Sequence, residues 1–326
     1  MNELFFRLDS NEKNGLGHFS RCFKLVSKVK NKKIFFLISK TSEAFFKKKK
    51  LKYYVVSYKN NNIDEKYDAE ECLKILKQNN LKKIILIKDQ YQLSYKWEKI
   101  IYNKIKNLVV IDDHIDRNHY CKIYINQSIT DLNQLKYINT HTKYLVGKKY
   151  LMINKKRLFK SKNKTKNFLI YFGGSDKKNL TLNFLSLCQN KVFSKYNFKF
   201  IMSSFNINQS KIISDLKFKK NIKFLKFQKN LDHILIKTDF FVGSVGMTLQ
   251  EALYHGIPSL AFPTNKNHNQ TFKYLSSNNF IFNSKNSNKS KMKNLLLNFI
   301  KNHHKIKKYK IDGLGLDRIK KEIYAL

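Results

Sequence analysis

Glycine and proline are scarce in this chain: ten glycines and two prolines in 326 residues. Cysteine is scarce too. Cys22, Cys72, Cys121 and Cys188 are far apart and form no CxxC pair, which argues against a disulfide framework and against a zinc site. They read as reduced thiols used as small apolar side chains. No run of about 18 uncharged apolar residues occurs, so no membrane-spanning helix and no membrane insertion are expected. The opening MNELFFRLDSNEK reaches an arginine and an aspartate within its first nine positions. It lacks the basic start, apolar stretch and small-residue cleavage site of a signal peptide, and a cytoplasmic location is expected.

Acidic residues are the other shortage. Lysine and arginine number 65 against 23 aspartates and glutamates, a net charge of +42. Such an excess fits a nucleic-acid or anionic-surface binder. It also fits compositional drift, because Lys, Asn, Ile, Phe and Tyr are all abundant, as an AT-rich coding sequence would give. The lysines are dispersed, with one tight run at Lys47–Lys50, and no RNA-binding aromatic signature is present. Drift is the better account, and no specific nucleic-acid partner is expected. The positive field would still draw an anionic substrate toward a cleft.

Short apolar runs alternate with segments of helical period. Strands are expected at 4–8, 33–38, 83–87, 108–112 and 123–126, and again at 167–172, 198–202, 222–227, 240–243 and 259–262. Most are continuous apolar runs, the mark of parallel strands buried on both faces. Between the first two, Phe19, Cys22, Phe23, Val26 and Val29 share one helical face. Ala69, Cys72, Leu73, Ile75 and Leu76 do the same in the segment from Asp68 to Gln78. The class is α/β, with two doubly wound, Rossmann-like domains at 1–156 and 157–305. The polar stretch 154–166 is the natural linker, and 306–326 remains as a C-terminal segment.

In a chain so poor in glycine, the glycines mark loops that no other residue serves. Gly15-Leu16-Gly17-His18 lies between the first strand and first helix. Two glycines at a helix start expose amides to an anion. An imidazole there can take a proton from water or a hydroxyl; a histidine that merely packs at a helix start is the alternative. Gly173-Gly174-Ser175-Asp176 closes the first strand of the second half and suits a phosphate cradle. Neither GxxxxGK[ST] nor GxGxxG is present, which disfavours a P-loop or an ordinary dinucleotide site. The third cluster runs from Gly243 to Leu253, then Gly256-Ile257-Pro258. Ser244, Gly246 and Thr248 can offer amides and hydroxyls to phosphates. Glu251, a turn later, can accept hydrogen bonds from ribose hydroxyls or serve as a solvated helix residue. Asn265–Gln270 follows the next strand as a polar loop.

Together, GxGH after the first strand, GGSD opening the second half, and GxTxxEAxxxGxP followed by Asn269-Gln270 resemble the GT-B nucleotide-sugar enzymes related to MurG. Within that group the chain is most similar to the PseG-type UDP-2,4-diacetamido-2,4,6-trideoxy-β-L-altropyranose hydrolases of pseudaminic acid biosynthesis. The match runs along the whole chain. It includes Arg7, Asp9, Asp89-Gln90-Tyr91, Trp97-Glu98, VIDDHIDRNHYC (Val110–Cys121), Gln127, Gly147, Tyr150, Asp312–Gly315 and Arg318. The resemblance implies a GT-B fold with an interdomain cleft, a C-terminal helix packing back across the domains, and an inverting, metal-independent hydrolysis without a cofactor. It implies that His18 is the catalytic base. Substrate binding would fall to Arg7, Asp9, Gly15, Gly17, Arg21, Asp89, Tyr91, Tyr150, Gly173, Gly174, Ser175, Gly246, Thr248, Glu251, Asn269 and Gln270. The implied partner is a small UDP-sugar, bound by a monomer.

Some positions depart from the pattern. Asn154 stands where an arginine is expected, Leu249 where an aromatic is common, and His114 where an apolar residue is expected. These leave the fold reading intact and loosen the identity of the sugar. A MurG-like transferase with the same donor site is the alternative within the fold. It would show an apolar patch flanked by basic residues, for which Phe45-Phe46 before Lys47–Lys50 is a short candidate. A basic nucleic-acid binder is the alternative outside it, and it leaves the glycine placement unexplained.

Overall fold

Continuous apolar runs become parallel strands buried on both faces, twice over. The computed structural model describes residues 3–11, 15–29, 33–57, 64–78, 80–155, 165–203, 206, 219–226, 228, 231–284 and 291–326. Their contacts divide the chain into two units, Met1–Asn154 with Leu314–Leu326, and Lys155–Gly313.

The first unit holds seven strands: β1 (Glu3–Leu8), β2 (Ile34–Ser39), β3 (Tyr53–Val56), β4 (Ile84–Asp89), β5 (Leu108–Ile111), β6 (Ile123–Asn126) and β7 (Lys143–Val146). They form one sheet in the order β3-β2-β1-β4-β5-β6-β7, and every pairing is parallel. Between them run α1 (Gly17–Lys28), α2 (Glu43–Lys48), α3 (Glu65–Leu76) and α4 (Tyr95–Lys104). Asp64 starts α3 by accepting the amides of Lys66 and Tyr67, and Ser94 starts α4 by accepting that of Lys96, the usual way of satisfying orphan amides at a helix start. The core on one side of the sheet joins Leu37, Ala69, Leu76, Trp97, Ile101 and Val110.

The second unit repeats the plan with β8 (Asn167–Tyr171), β9 (Asn197–Met202), β10 (Ile222–Lys226), β11 (Phe240–Ser244), β12 (Ser259–Phe262) and β13 (Phe282–Asn283). Their order is β10-β9-β8-β11-β12-β13, again all parallel. The described helices are α5 (Leu180–Cys188), α6 (Asp232–Leu235), α7 (Met247–Tyr254), α8 (His268–Ser277) and α9 (Met292–Asn302). Phe168, Phe184, Phe198, Val242, Leu296 and Phe299 fill its core. The chain ends in α10 (Gly315–Tyr324), which belongs to the first unit. Leu316, Ile319 and Ile323 form its buried stripe.

The doubly wound α/β class expected from the sequence stands, and all ten expected strands occur within a residue or two of their places; position 227 lies outside the described residues. The strands that the sequence did not announce are β3, β7 and β13, and each is an edge of its sheet. Edge strands are covered less completely, so they need no continuous apolar run. The buried face of α1 also differs from expectation. Phe23 and Val26 are half-buried, while His18, Arg21 and Lys24 are buried, because α1 packs against α10 as well as the sheet. The linker stretch lies mostly outside the described residues.

Gly243, inside β11, illustrates how close the packing is. A Cβ there would collide with the Tyr171 carbonyl on neighbouring β8 and with the Phe241 ring. Gly243→Ala is expected to destabilise the protein by about 1–3 kcal/mol, read as a lowered urea midpoint. An unchanged midpoint would show that the strands do not approach so closely.

Candidate active site

In the first sheet the strand order reverses between β1 and β4: β1 leads outward to β2 and β3, β4 to β5 and beyond. Open α/β sheets bind ligands outside the carboxyl ends of the strands at such a reversal. The two chain segments that leave this point carry His18 and Asp89. Asp89 is the last residue of β4. After β1 the chain turns through Gly15, whose φ of +69° suits a residue without Cβ. Ser10 Oγ donates to the Gly15 carbonyl (3.1 Å). α1 then begins at Gly17 and presents His18 and Arg21 on successive turns.

Asp89 is the hub. Its Oδ1 lies 2.6 Å from His18 Nδ1. Arg21 donates to it twice, Nε to Oδ2 at 2.6 Å and Nη2 to Oδ1 at 2.5 Å. Cys22 Sγ donates to Oδ2 at 3.3 Å. Burial alone would raise the Asp89 carboxyl, but Arg21 and His18 outweigh it and hold it well below the usual carboxylate range. An ionised Asp89 can only accept, so the proton of a neutral His18 sits on Nδ1 and the lone pair on Nε2. Nε2 has no hydrogen-bond partner among the described residues.

The cluster extends one carboxylate further. Arg21 Nη1 donates to Asp113 Oδ2 at 2.5 Å, and the Tyr91 hydroxyl donates to the same oxygen at 2.5 Å. The Tyr91 ring stands edge-on to His18, with centroids 4.5 Å apart. Burial pushes the Tyr91 hydroxyl up, so it stays a proton donor. Asp113 was not among the residues singled out from the sequence. It stands within the Val110–Cys121 motif and follows the end of β5 much as Asp89 ends β4.

Arg7 and Asp9, expected at the substrate, form a separate network. Both are buried. Arg7 grips Asp68 of α3 through Nη2 (2.6 Å) and Nε (3.2 Å) and reaches Asp9 at 3.2 Å. Asp9 also accepts from the Ser39 amide, Ser42 Oγ and Gln90 Nε2. Burial would raise its carboxyl, but Arg7 and these donors bring it below its ordinary value. These two side chains join β1, β2, α3 and the loop after β4. There is a second buried network. Lys88 Nζ donates to Glu98 (2.6 Å) and the Leu93 carbonyl (2.6 Å), and His119 Nδ1 meets Glu98 at 2.9 Å. His114 pairs with Asp112 at 2.7 Å, and Arg117 donates to the Tyr91 carbonyl at 2.5 Å. Tyr150 is half-buried in a short 3-10 turn (Lys148–Tyr150), and the structure shows no hydrogen bond between it and the His18 cluster.

The second sheet reverses between β8 and β11, and there the glycine clusters meet. Gly173, with φ of +94°, follows β8; a Cβ on it would lie 3.7 Å from Ser244 Oγ at the end of β11, and one on Gly246 would lie 3.8 Å from the same atom. Gly174 and Ser175 are half-buried beside Gly173. The two helices that start here differ. The first amides of α5 are taken by Asp176, which accepts from Leu180 N (3.0 Å) and Thr181 N (2.8 Å). Gly246 precedes α7 and gives it no side-chain cap, so the first amides of the helix remain for another acceptor. Thr248 and Glu251 of α7 are buried. Glu251 lies near Tyr171, whose hydroxyl is pushed up by burial first and by that carboxylate second. Asn269 is exposed and Gln270 half-buried on the first turn of α8. Among the described residues, no group of three or more His, Cys, Asp or Glu side chains could hold a metal ion, and no helix is long and apolar enough to cross a membrane.

Two doubly wound parallel sheets, each with its reversal point dressed by glycine loops, define the GT-B fold. No protein-family model matches the chain. It is 30% identical over 281 residues to an uncharacterized protein of Methanocaldococcus jannaschii, a match covering 79% of this chain and 55% of that protein; the chain spans about half the length of the curated relative it matches. Its structure is similar to Acinetobacter baumannii MurG (TM-score 0.64, 10% identity, 99% of this chain and 100% of that one). It is similar to the same degree to UDP-GlcNAc 2-epimerase from Neisseria meningitidis bound to UDP-GlcNAc (TM-score 0.64, 12% identity, 99% and 100%). Anabaena HepE in complex with UDP and glucose is a further structural neighbour (TM-score 0.56, 11% identity, 100% and 97%).

The carboxylates give the first unit an acid limit. Asp9, Asp89 and Asp112 are all held below their ordinary values against the opposing effect of burial. In the unfolded chain they take up protons near pH 4. Their contribution is therefore complete above about pH 4 and is lost as pH falls toward the lower folded values. Urea midpoints are expected to drop steeply below pH 4. In Asp89→Asn the midpoint should be lower at pH 7 and its fall below pH 4 shallower; an equal slope in both proteins would show that Asp89 is not held ionised.

Proposed function

We propose that the chain hydrolyses a UDP-sugar, and that the sugar is a 2,4-diacetamido-2,4,6-trideoxy pyranose. One observation carries the base catalysis: an ionised, buried Asp89 fixes the His18 proton on Nδ1 and leaves Nε2 as a base; water as the nucleophile rests on the resemblance of the motifs. Two of the structural neighbours are complexes with UDP-GlcNAc and with UDP and glucose, which supports a UDP-sugar as the ligand class. The resemblance of the sequence motifs to the PseG-type hydrolases supports the particular sugar.

In this reading Nε2 of His18 takes a proton from a water whose oxygen bonds to the anomeric carbon. The bond from that carbon to the β-phosphate oxygen breaks, and its electron pair leaves with UDP. Attack opposite the leaving group inverts the configuration. The imidazolium formed is stabilised by Asp89, with Arg21 and Asp113 holding that carboxylate in place. A nucleoside diphosphate is a good leaving group, so donors that meet its growing charge matter more than a general acid. The amides of Gly173–Ser175 and of the uncapped start of α7 fill that role, and Glu251 accepts from the ribose hydroxyls. No metal is assigned a step.

His18→Ala and His18→Asn are expected to lower kcat by about 10²–10⁴-fold while calorimetric UDP affinity stays unchanged. Undiminished turnover would remove His18 from the mechanism. Proton NMR of the wild-type reaction should show UDP release in water alone and an inverted first-formed anomer. The likeness to MurG gives a transferase as the second reading, and UDP release that requires an added acceptor would establish it.

A further inference from the structure

The Gly256-Ile257-Pro258 end of the third glycine cluster has no part in the functional reading above. It carries the chain from α7 into β12, so it lies at the amino edge of the second sheet, away from the carboxyl edge where Gly173 and Ser244 stand. A cavity of about 390 Å³ opens there, within the ~300–1,000 Å³ of small-molecule sites. Tyr254, Pro258, Phe280, Lys307, Lys308 and Tyr309 are in its lining, all from the second unit. We propose that this cavity binds a nucleoside monophosphate, its base against the aromatic side chains and its phosphate on Lys307 and Lys308. The proposal does not rest on the UDP-sugar reading.

The lining supplies the two chemistries that a nucleotide combines. The cationic part is Lys307 and Lys308. Both are exposed, between Lys305 and Lys310, and their side chains make no hydrogen bond or ion pair among the described residues. No aspartate or glutamate among the described residues lines the cavity. His255 does, but its Nε2 lies 3.6 Å from Asp232 Oδ1, which leaves the two ammonium groups to meet an anion. They are carried on fixed backbone: the Lys307 amide donates to the Asn279 carbonyl at 2.7 Å. The aromatic part is equally set in place. The Phe280 and Tyr309 rings stand 4.8 Å apart, and Tyr274 packs against them at 6.1 and 6.4 Å. Tyr254 abuts Gly313, where a Cβ would lie 2.9 Å from its hydroxyl. Burial first, and Tyr274 second, push the Tyr309 hydroxyl up, so this wall stays uncharged, as a neutral base requires. Stacking on an aromatic ring suits any base, because each has a π-face. An inorganic anion would make no use of the rings, and an apolar ligand none of the lysines.

Saturation-transfer NMR on the full chain tests this with AMP as the probe, and with adenosine and ribose 5-phosphate as its two halves. The wild type should saturate the base protons of AMP, and each half should bind at least about tenfold less tightly. Lys307→Gln with Lys308→Gln alters two exposed side chains; it should keep the wild-type urea midpoint and weaken AMP by about tenfold or more. Phe280→Leu should weaken AMP to a similar degree and leave ribose 5-phosphate unchanged. Glu251→Gln, which alters the place proposed for the ribose of UDP, should bind AMP as the wild type does; loss there instead would assign the binding to the carboxyl edge and overturn the cavity. Absence of saturation in the wild type, or equal AMP affinity in the lysine variant, also overturns it. An oligoadenylate that binds where AMP does not would make this a nucleic-acid surface and overturn the nucleotide site.

Discussion

The Asp89 carboxylate is a fully buried charge held by donors from a single helix. His18, Arg21 and Cys22 all reach it from α1. A buried anion is costly unless paired and hydrogen-bonded, so the position of α1 over the end of β4 is set by the need to satisfy this one group. The same contacts fix the tautomer of the imidazole. Stability and the tautomer of His18 are thereby drawn from one set of hydrogen bonds, and neither can be altered alone. Arg21 adds a second level. It spans Asp89 and Asp113, and burial, which would lower its affinity for a proton, is outweighed by those two carboxylates. The guanidinium thus stays charged between two anions and ties them together.

Strand order places these groups. In each sheet the first strand of the unit lies inside, with its successor on one side and the fourth strand of the unit on the other. The loops that leave the inner pair diverge and expose the carboxyl ends of two strands. His18 and Asp89 occupy that position in one unit, and Gly173 and Ser244 in the other. The two sheets are dressed differently: one with ionisable side chains, the other with bare backbone and small hydroxyls. A proton acceptor needs the first, and a phosphate the second.

Much of this was legible from residue order. Interior strands announced themselves as apolar runs, and His18, Asp89 and Tyr91 stood at or next to strand or helix ends in recognisable motifs, while Arg21 came only from the resemblance. Three kinds of feature were not. Edge strands such as β3 and β7 lack the run, because fewer neighbours cover them. Asp113 is tied to Arg21 across 92 positions, a pairing that only the folded sheet creates. Arg7 and Asp9 stand just before the Gly15–His18 loop in the same match, and a motif does not say which of its charges stay open and which are buried against partners such as Asp68 and Gln90.

The last helix carries a different lesson, about time. α10 docks on α1 with Gly315 so close to the Leu151 backbone that a Cβ would not fit. Lys28 reaches Asp317 at 3.1 Å, Lys143 reaches Glu322 at 2.6 Å, and Arg318 reaches the Lys149 carbonyl at 2.7 Å. The covering of α1, which carries the imidazole, is thus encoded some 290 residues after it, beyond the whole of the second unit. On the ribosome the amino-terminal half must wait, with one flank of that helix bare, until translation of the remainder is nearly done. Its final assembly is therefore governed by the length of chain inserted between two pieces of the same body.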